Sequence, residues 1–312
     1  MSGPVHRGVC VTLLVGLLLV VAVGGCGGGQ EAPGPESGPE PSVLAVESFL
    51  ADIAQNVAGD RLKVDVLLPS GVDPHSFQPS PADAGRVSVA HVVIVNGAGL
   101  EAFLADLMNA SGSQARVVEA SAGLQPRLSR WGDEAGESDP HFWLDPVMVK
   151  TYVDNIRDGL AAADPAGAAE YERNAAAYQV ELDELNAWIV SQVQRVPSGR
   201  RLLVTNHENL GYFADRYGFQ LVGTLLAGVS SGASPSAQDL AKLEDDIRRL
   251  GVPAVILETG ADPKLAQQVA QDTGARVVTE VHTHALGPAG GSADTYLDMM
   301  RHNVTVIVDA LR

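Results

Sequence analysis

The stretch that decides the fold is Pro165–Val196, PAGAAEYERNAAAYQVELDELNAWIVSQVQRV, near the middle of the chain. It is rich in Ala, Glu, Leu and Gln and has no glycine after its first turn, which predicts one long helix. Asp164 and Pro165 are typical of a helix start, and Pro197 ends the segment. At a rise of 1.5 Å per residue the helix would be roughly 45 Å long. We expect it to be a stiff connection that allows little motion between its two ends.

Runs of β-branched residues alternate with helical patterns on both sides of this helix. They occupy residues 43–48, 62–68, 91–95, 115–120, 201–206, 219–226, 254–259 and 275–281. Such alternation is typical of parallel sheets with helices on their faces. We therefore predict an α/β fold of two Rossmann-like (β/α) lobes with parallel sheets, joined by the long helix. The expected ranges are 43–163 for the first lobe, 164–196 for the linking helix and 197–312 for the second lobe, each lobe with its own core.

The first 25 residues have the composition of an export signal. His6 and Arg7 precede the apolar run VCVTLLVGLLLVVAV, which is too short for a comfortable membrane span. The run ends in Val-Gly-Gly-Cys26, which resembles a bacterial lipobox, so Cys26 would become a lipid-bearing N-terminus. A plain secretory signal with a stray cysteine is the alternative. We expect an exported protein, lipid-anchored at the outer face of the cytoplasmic membrane or in the periplasm.

The composition of the mature chain limits which side chains can bind a metal and which partners the chain can have. Residues 26–42 are rich in Gly, Pro and Glu, which predicts a flexible tether. The two cysteines, Cys10 and Cys26, lie in or at the end of the leader, so a metal site must use His, Asp or Glu. Loss of Arg7 with the leader changes the formal charge from −17 to −18. This acidity argues against nucleic acid or anionic lipid as a partner.

Four of the eight histidines follow predicted strand ends or precede a predicted helix. His75 and His141 each end an Asp-Pro-His tripeptide, His207 follows RLLVTN, and His284 follows ARVVTEV. Open α/β sheets bind ligands beyond the carboxyl ends of their strands. Four imidazoles would form a closed tetrahedral site for zinc or another late first-row ion, whereas catalytic zinc keeps a position for water. Scattered loop histidines are the alternative.

The other histidines have simpler interpretations, with one exception. His6 belongs to the leader, His91 begins a strand, and His302 lies in the last predicted helix among apolar neighbours. His282 lies two residues before His284 in VHTH, and the two would point the same way if the strand continued. His282 is therefore a competing ligand candidate.

The chain resembles the metal-binding solute-binding proteins of ABC importers, which serve zinc, manganese and iron uptake. The resemblance runs from about Val43 to the C-terminus. It is carried by VESFLADIAQNVAGD, DPHSFQPSPADA, NGAGLE, DPHFWLDP, NHENLGYFADRYGF, SPSAQDLAKL, ILET followed by DPK, and ALGPAGGSADTYLDMMRHNV. It implies two (β/α) lobes joined by a long helix, a metal between the lobes, and a monomer that delivers it to a membrane permease and through it serves the ATPase.

The family's ligand positions fall on His75, His141, His207 and His284. The fourth position is most often Asp, in a segment like Tyr-Ser-Asp-Ala-Leu-Gly, and here that segment begins His282-Thr283-His284. Glu208, Glu258 and His282 therefore stay open as alternative ligands or supporting groups. An all-nitrogen shell suits Zn²⁺, with Mn²⁺ possible as the ion carried.

Zinc-importing members of the family often carry a His-rich acidic loop before the second ligand. The corresponding residues 129–139, SRWGDEAGESD, are acidic but have no histidine. We expect a solvated, mobile loop. Weak gathering of metal by its carboxylates is the alternative, and these belong to Asp133, Glu134, Glu137 and Asp139.

Three other functions compete with metal capture. Gly97-x-Gly99-x-x-Ala102 follows a predicted strand and Glu119 ends the next one, which imitates the fingerprint of an NAD-binding oxidoreductase. The match is not at the first strand, however, and the following helix is short. An exported zinc hydrolase and an adhesin on the same fold are the other two.

Overall fold

A computed structural model of the protein describes residues 40–69, 71–232 and 235–312. The predicted leader, the anchor at Cys26 and nearly all of the tether lie outside these residues. Within the described ranges, no helix combines the length and the apolar character needed to cross a membrane.

The first half of the described chain contains a four-stranded parallel sheet and a small hairpin. Its elements are β1 (Val43–Ala45), α1 (Ser48–Ala58), β2 (Val64–Val66), α2 (Pro81–Ser88), β3 (Val92–Val95), α3 (Leu104–Ser111), β4 (Arg116–Glu119), β5 (Arg127–Leu128), β6 (Ser138–Asp139) and α4 (Pro146–Ala163). The sheet has the order β2-β1-β3-β4. Strands β5 and β6 pair antiparallel, and the sequence patterns missed them because each has only two residues.

The second half repeats this arrangement. After α5 (Ala168–Val193) come β7 (Leu202–Thr205), α6 (Gly211–Tyr217), β8 (Gln220–Thr224), α7 (Ala237–Leu250), β9 (Ala254–Glu258), α8 (Lys264–Thr273), β10 (Arg276–Val281) and α9 (Tyr296–Leu311). The sheet is parallel, in the order β10-β9-β7-β8. In both sheets the first and third strands are neighbours, so the chain leaves them in opposite directions and opens a crevice there. The predicted α/β class with two parallel sheets is confirmed.

Helix α5 is the predicted long helix, but it begins at Ala168 rather than Pro165. Pro165–Gly167 form a separate 3-10 turn, and the side chain of Asp164 accepts hydrogen bonds from Arg61 and Tyr171 instead of capping a helix. With 26 residues, α5 is about 39 Å long. Its buried side chains recur every three or four residues, as expected for one face of a helix. They are Tyr171, Ala175, Tyr178, Leu182, Leu185, Ile189 and Val193.

Each lobe has a hydrophobic cluster of its own, as expected, but the two lobes also share a larger core that was not expected. Alternate residues of a strand face opposite sides of its sheet, so Val43 belongs to the shared core and Leu44 to an outer cluster of the first lobe. In the second lobe Ile256 faces the shared core and Val255 an outer cluster. Buried side chains of α1, α4, α5 and α9 complete the shared core. The lobes are therefore joined by packing as well as by the chain.

Trp143 ties three distant segments together at this junction. Its ring is fully buried and stacks on Phe49 of α1, with ring centroids 4.5 Å apart. Its indole Nε1 donates to the Thr283 carbonyl at 2.7 Å, and its own carbonyl accepts from the Tyr296 hydroxyl at 2.7 Å. The segments that carry His141 and His284 are thus fixed relative to each other.

Close packing of α4 on the first sheet can be tested at Gly159. A Cβ at this position would overlap the Cγ2 methyl of Val118 in β4. We expect Gly159→Ala to lower the free energy of unfolding by about 1–3 kcal/mol, because the added methyl overpacks the contact. The matched control is Gly85→Ala in α2, where an added Cβ meets nothing within 4 Å. That change should raise the free energy of unfolding by about 0.4–1 kcal/mol. Urea denaturation of both variants measures the difference, and equal effects would contradict the packing.

Candidate metal centre

The four histidines predicted as ligands converge between the lobes. One ligand nitrogen from each of His75, His141, His207 and His284 lies within 4.8 Å of all the others. His141 Nε2 is 3.2 Å from the Nε2 atoms of His75 and His284 and 3.4 Å from that of His207. Four nitrogens placed tetrahedrally at about 2.0–2.1 Å from a zinc ion are about 3.3 Å apart. The spacing fits an ion of that size at the centre.

Each lobe contributes two of these side chains from its crevice. His207 follows β7 directly, and His284 follows the end of β10. His75 lies in the loop after β2, and His141 precedes the 3-10 turn Phe142–Leu144 that leads into α4. The rings of His141 and His207 are fully buried and that of His284 is nearly so. The parallel topology therefore brings together residues that are far apart in sequence.

The repeated Asp-Pro-His tripeptide builds the same local turn twice. Asp73 Oδ1 accepts from the backbone N–H of His75 at 2.9 Å, and Asp139 Oδ1 accepts from that of His141 at 3.0 Å. An aspartate that bonds the backbone two residues later fixes a tight turn, and the intervening proline restricts it further. Both histidines are thus held by rigid backbone.

Carboxylates orient the rings from behind. Asp139 Oδ1 lies 2.8 Å from His141 Nδ1, and Glu258 Oε2 lies 2.7 Å from His284 Nδ1. The other oxygen of Glu258 is 3.6 Å from His207 Nδ1. A carboxylate that accepts the Nδ1 proton leaves the lone pair on Nε2, where it faces the centre.

Glu258 is itself held in place. It accepts from Asn206 Nδ2 at 2.8 Å and from Thr283 Oγ1 at 2.7 Å. From the sequence Glu258 is only one alternative among several, because its position at the end of β9 does not reveal that it lies behind two ligand rings.

Burial sets the charge states of the histidines. It lowers the pKa of His75 to about 2, with help from the neighbouring imidazoles of His284 and His207. Burial, joined by the other three rings, also holds the pKa of His141 well below its usual value. For His207, burial lowers the pKa to about 4, although Glu258 opposes it. These three imidazoles are neutral near pH 7, the form that binds metal.

One group in each of the two carboxyl–imidazole pairs has a raised pKa. Burial lowers the pKa of His284, but the Glu258 carboxylate outweighs it and raises the net value above the usual one. In the other pair, burial raises the pKa of Asp139 to about 8, and the Glu208 carboxylate adds to this. Near neutral pH the Asp139–His141 pair therefore holds an additional proton, and the Glu258–His284 pair keeps a proton to higher pH than a free imidazole would.

Two of the alternative ligands lie elsewhere. Glu208 Oε2 accepts from Ser129 Oγ at 3.0 Å and from the Arg130 N–H at 2.9 Å, so it binds the hairpin loop. His282 would point with His284 only if the strand continued, and β10 ends at Val281. The His282 ring instead faces His302, with centroids 5.4 Å apart.

Residues 129–139 are mostly exposed to solvent, as expected, but they are also docked on the rest of the molecule. They span the β5–β6 hairpin and dock on the second lobe, through Glu208 and through Glu134 Oε2, which accepts from the Ser230 N–H at 2.9 Å. The sequence could not predict this docking, because the partners lie in the other lobe.

The glycine loop after β3 does not fit a dinucleotide. Glu119 lies against Gly97, where an added Cβ would overlap its side chain. Glu101 Oε2 accepts from the Gly97 N–H at 3.1 Å, and α3 begins only at Leu104. A dinucleotide pyrophosphate is bound where a glycine loop runs directly into a helix N-terminus. That feature is missing at this loop.

A cavity of about 640 Å³ lies beside the histidines. Its lining includes Asp73 from the first lobe and Ser231, Glu258 and His284 from the second. The cavity therefore reaches the candidate centre at His284.

Comparison with known proteins agrees with this arrangement. The profile of the family described as zinc-uptake complex component A, periplasmic, matches residues 43–310. The manganese-binding lipoprotein MntA of Halalkalibacterium halodurans is 36% identical over 97% of this chain and 98% of its own. The periplasmic zinc-binding protein TroA of Treponema pallidum superposes with a TM-score of 0.80, at 30% identity over 87% of this chain and 99% of its own.

A manganese-bound periplasmic metal-binding protein from Candidatus Liberibacter asiaticus superposes with a TM-score of 0.78, at 28% identity over 87% of this chain and 100% of its own. The profile match extends from β1 nearly to the end of α9. The chain therefore belongs to the family described as zinc-uptake complex component A, periplasmic.

Proposed function

We propose that this protein captures a zinc ion between its two lobes and delivers it to the membrane permease of an ABC importer. The observation that carries the proposal is the convergence of four imidazole nitrogens within 4.8 Å of one another. In this proposal His75, His141, His207 and His284 are the ligands, and Asp139 and Glu258 orient them. The protein acts outside the cytoplasmic membrane, which agrees with the lipobox at Cys26 and with the description of MntA as a lipoprotein.

The preference for zinc follows from the donor atoms. Imidazole suits zinc, whereas manganese favours carboxylate, carbonyl and water oxygens. Glu258 is the nearby carboxylate, but both of its oxygens accept hydrogen bonds from Asn206 and Thr283, and one also lies 2.7 Å from His284 Nδ1. It would have to leave these partners to bind the ion.

Manganese capture is the second candidate, and the MntA relative favours it by name. TroA is named for zinc, so the names of the relatives divide between the two ions. The position that distinguishes the candidates in this chain is His284, where the family pattern has an aspartate.

The four-imidazole geometry also favours a protein that captures the ion without catalysing a reaction. A hydrolytic zinc site keeps a coordination position open for water, whereas four imidazoles complete a tetrahedral shell. The negative charges of Asp139 and Glu258 would offset the two positive charges of the ion in a buried site, where an unpaired charge is costly.

The zinc preference can be tested by two substitutions of His284, with a third substitution as the control. Replacing His284 by Asp supplies an oxygen and a negative charge, so it should narrow the gap between zinc and manganese affinity. His284→Ala should lower the affinity for both ions by more than about 100-fold. Changing a group that only supports a ligand already lowers metal affinity about 10–100-fold. Competition with a chelator of known affinity measures all of these.

His282→Ala is the matched control, because this ring lies two residues away and faces His302. It should leave both affinities unchanged. Loss of zinc binding in His282→Ala with normal binding in His284→Ala would contradict the proposed ligand set. Tighter manganese than zinc binding in the unmodified protein would favour the second candidate.

The carboxyl–imidazole pairs predict how zinc affinity depends on pH. Metal binding needs neutral imidazole and ionised carboxylate, so each pair must release its proton, giving about two protons per zinc at a pH below both pKa values. One is lost from the pair whose Asp139 pKa is raised to about 8, and the other from His284, whose pKa is also raised. Affinity should therefore be constant above these pKa values and fall about 100-fold per pH unit below both. Calorimetry in buffers of different ionisation enthalpy counts the protons.

The variant Asp139→Asn removes one of the two groups that release a proton when zinc binds. The amide oxygen can still accept from His141 but does not titrate, so about one proton per zinc should be released. Affinity at high pH should fall about 10–100-fold. Release of no protons, or of four, by the unmodified protein would contradict this account.

A further inference from the structure

A loop of the second lobe reaches two segments of the first. Residues 226–232 follow β8. Ser231 Oγ donates to Asp73 Oδ2, and the Ser230 N–H donates to Glu134 Oε2 at 2.9 Å. Asp73 lies two residues before His75, and Glu134 lies in the hairpin loop that leads to His141. The loop therefore touches both ligand-bearing segments of the opposite lobe.

Glycines on both sides permit this close approach. Gly228 has a φ of +154°, and a Cβ there would overlap the Glu134 carboxylate. Gly132 has a φ of +66°, and a Cβ there would overlap the Ala227 carbonyl. The loop and the hairpin are therefore shaped to fit each other closely.

Asp73 connects this contact to the candidate centre. One of its oxygens accepts from the His75 N–H at 2.9 Å and the other accepts from Ser231 across the cleft. Both Asp73 and Ser231 line the cavity of about 640 Å³ that also reaches His284 and Glu258. The contact therefore lies in the wall of the cavity that reaches the candidate centre at His284.

We infer that residues 226–232 form a latch over the metal route, closed by Ser231 on Asp73 and by Ser230 on Glu134. This inference rests on the proposed function of metal capture. The shared core and Trp143 hold the lobes together, so metal exchange needs a local opening rather than a hinge motion. Because an ion must pass the latch in both directions, the latch slows binding and release alike. Asp73 is a positioning residue in this scheme.

Stopped-flow measurements of zinc binding and release test the latch. Ser231→Ala removes the hydroxyl that crosses the cleft and leaves the Asp73–His75 turn intact. Both rate constants should rise about tenfold or more, the effect of losing one hydrogen bond to a charged group, while the equilibrium affinity changes less than about threefold. Adding Glu134→Ala should raise both rates further. Ser231→Thr keeps the hydroxyl, so both rate constants should stay at those of the unmodified protein.

Ser76→Ala is the matched control. Ser76 Oγ lies 3.4 Å from the same Asp73 oxygen but belongs to the same lobe, so its loss should change neither rate. The latch is overturned if Ser231→Ala leaves both rates unchanged. It is also overturned if only release accelerates, because that pattern indicates a displaced His75. Failure of the unmodified protein to bind zinc at equilibrium would instead refute the proposed function, and the latch with it.

Discussion

The arrangement of this protein depends on one constraint, the burial of four imidazoles whose lone pairs face one another. Four nitrogens within 4.8 Å of one another cannot share a site as four cations, and burial already disfavours their charged forms. The lone pairs must also point inward, which requires hydrogen-bond acceptors at the outer nitrogens. Asp139 and Glu258 supply these acceptors to His141 and His284. A divalent cation at the centre would satisfy all four lone pairs at once.

This constraint explains why the lobes are joined so firmly. Two of the rings come from each lobe. A small shift between the lobes would therefore change every distance between a ring of one lobe and a ring of the other. The shared core, α5 and the contacts of Trp143 oppose such a shift. A rigid scaffold holds the ligands in their binding geometry before the ion arrives, which limits the ordering cost of binding. It also leaves exchange to a local element, and residues 226–232 are placed to serve as one.

Local patterns predicted much of this molecule. The β-branched runs predicted all eight strands of the two sheets, and parallel topology explained why histidines at strand ends would meet. The features that escaped prediction depend on contacts between distant segments. Examples are the contact of Glu258 with His284, the docking of the hairpin on Glu208, and the shared core. The end of β10 at Val281 turned His282 away, and no periodicity in VHTH indicates that end.

The most direct test of the central claim is the X-ray absorption spectrum of the zinc-loaded protein. We predict that the zinc ion has four nitrogen neighbours at about 2.0–2.1 Å, with outer-shell scattering from four imidazole rings. Three imidazoles with an oxygen neighbour, from a carboxylate or a water, would contradict the closed nitrogen shell on which the proposed zinc preference rests.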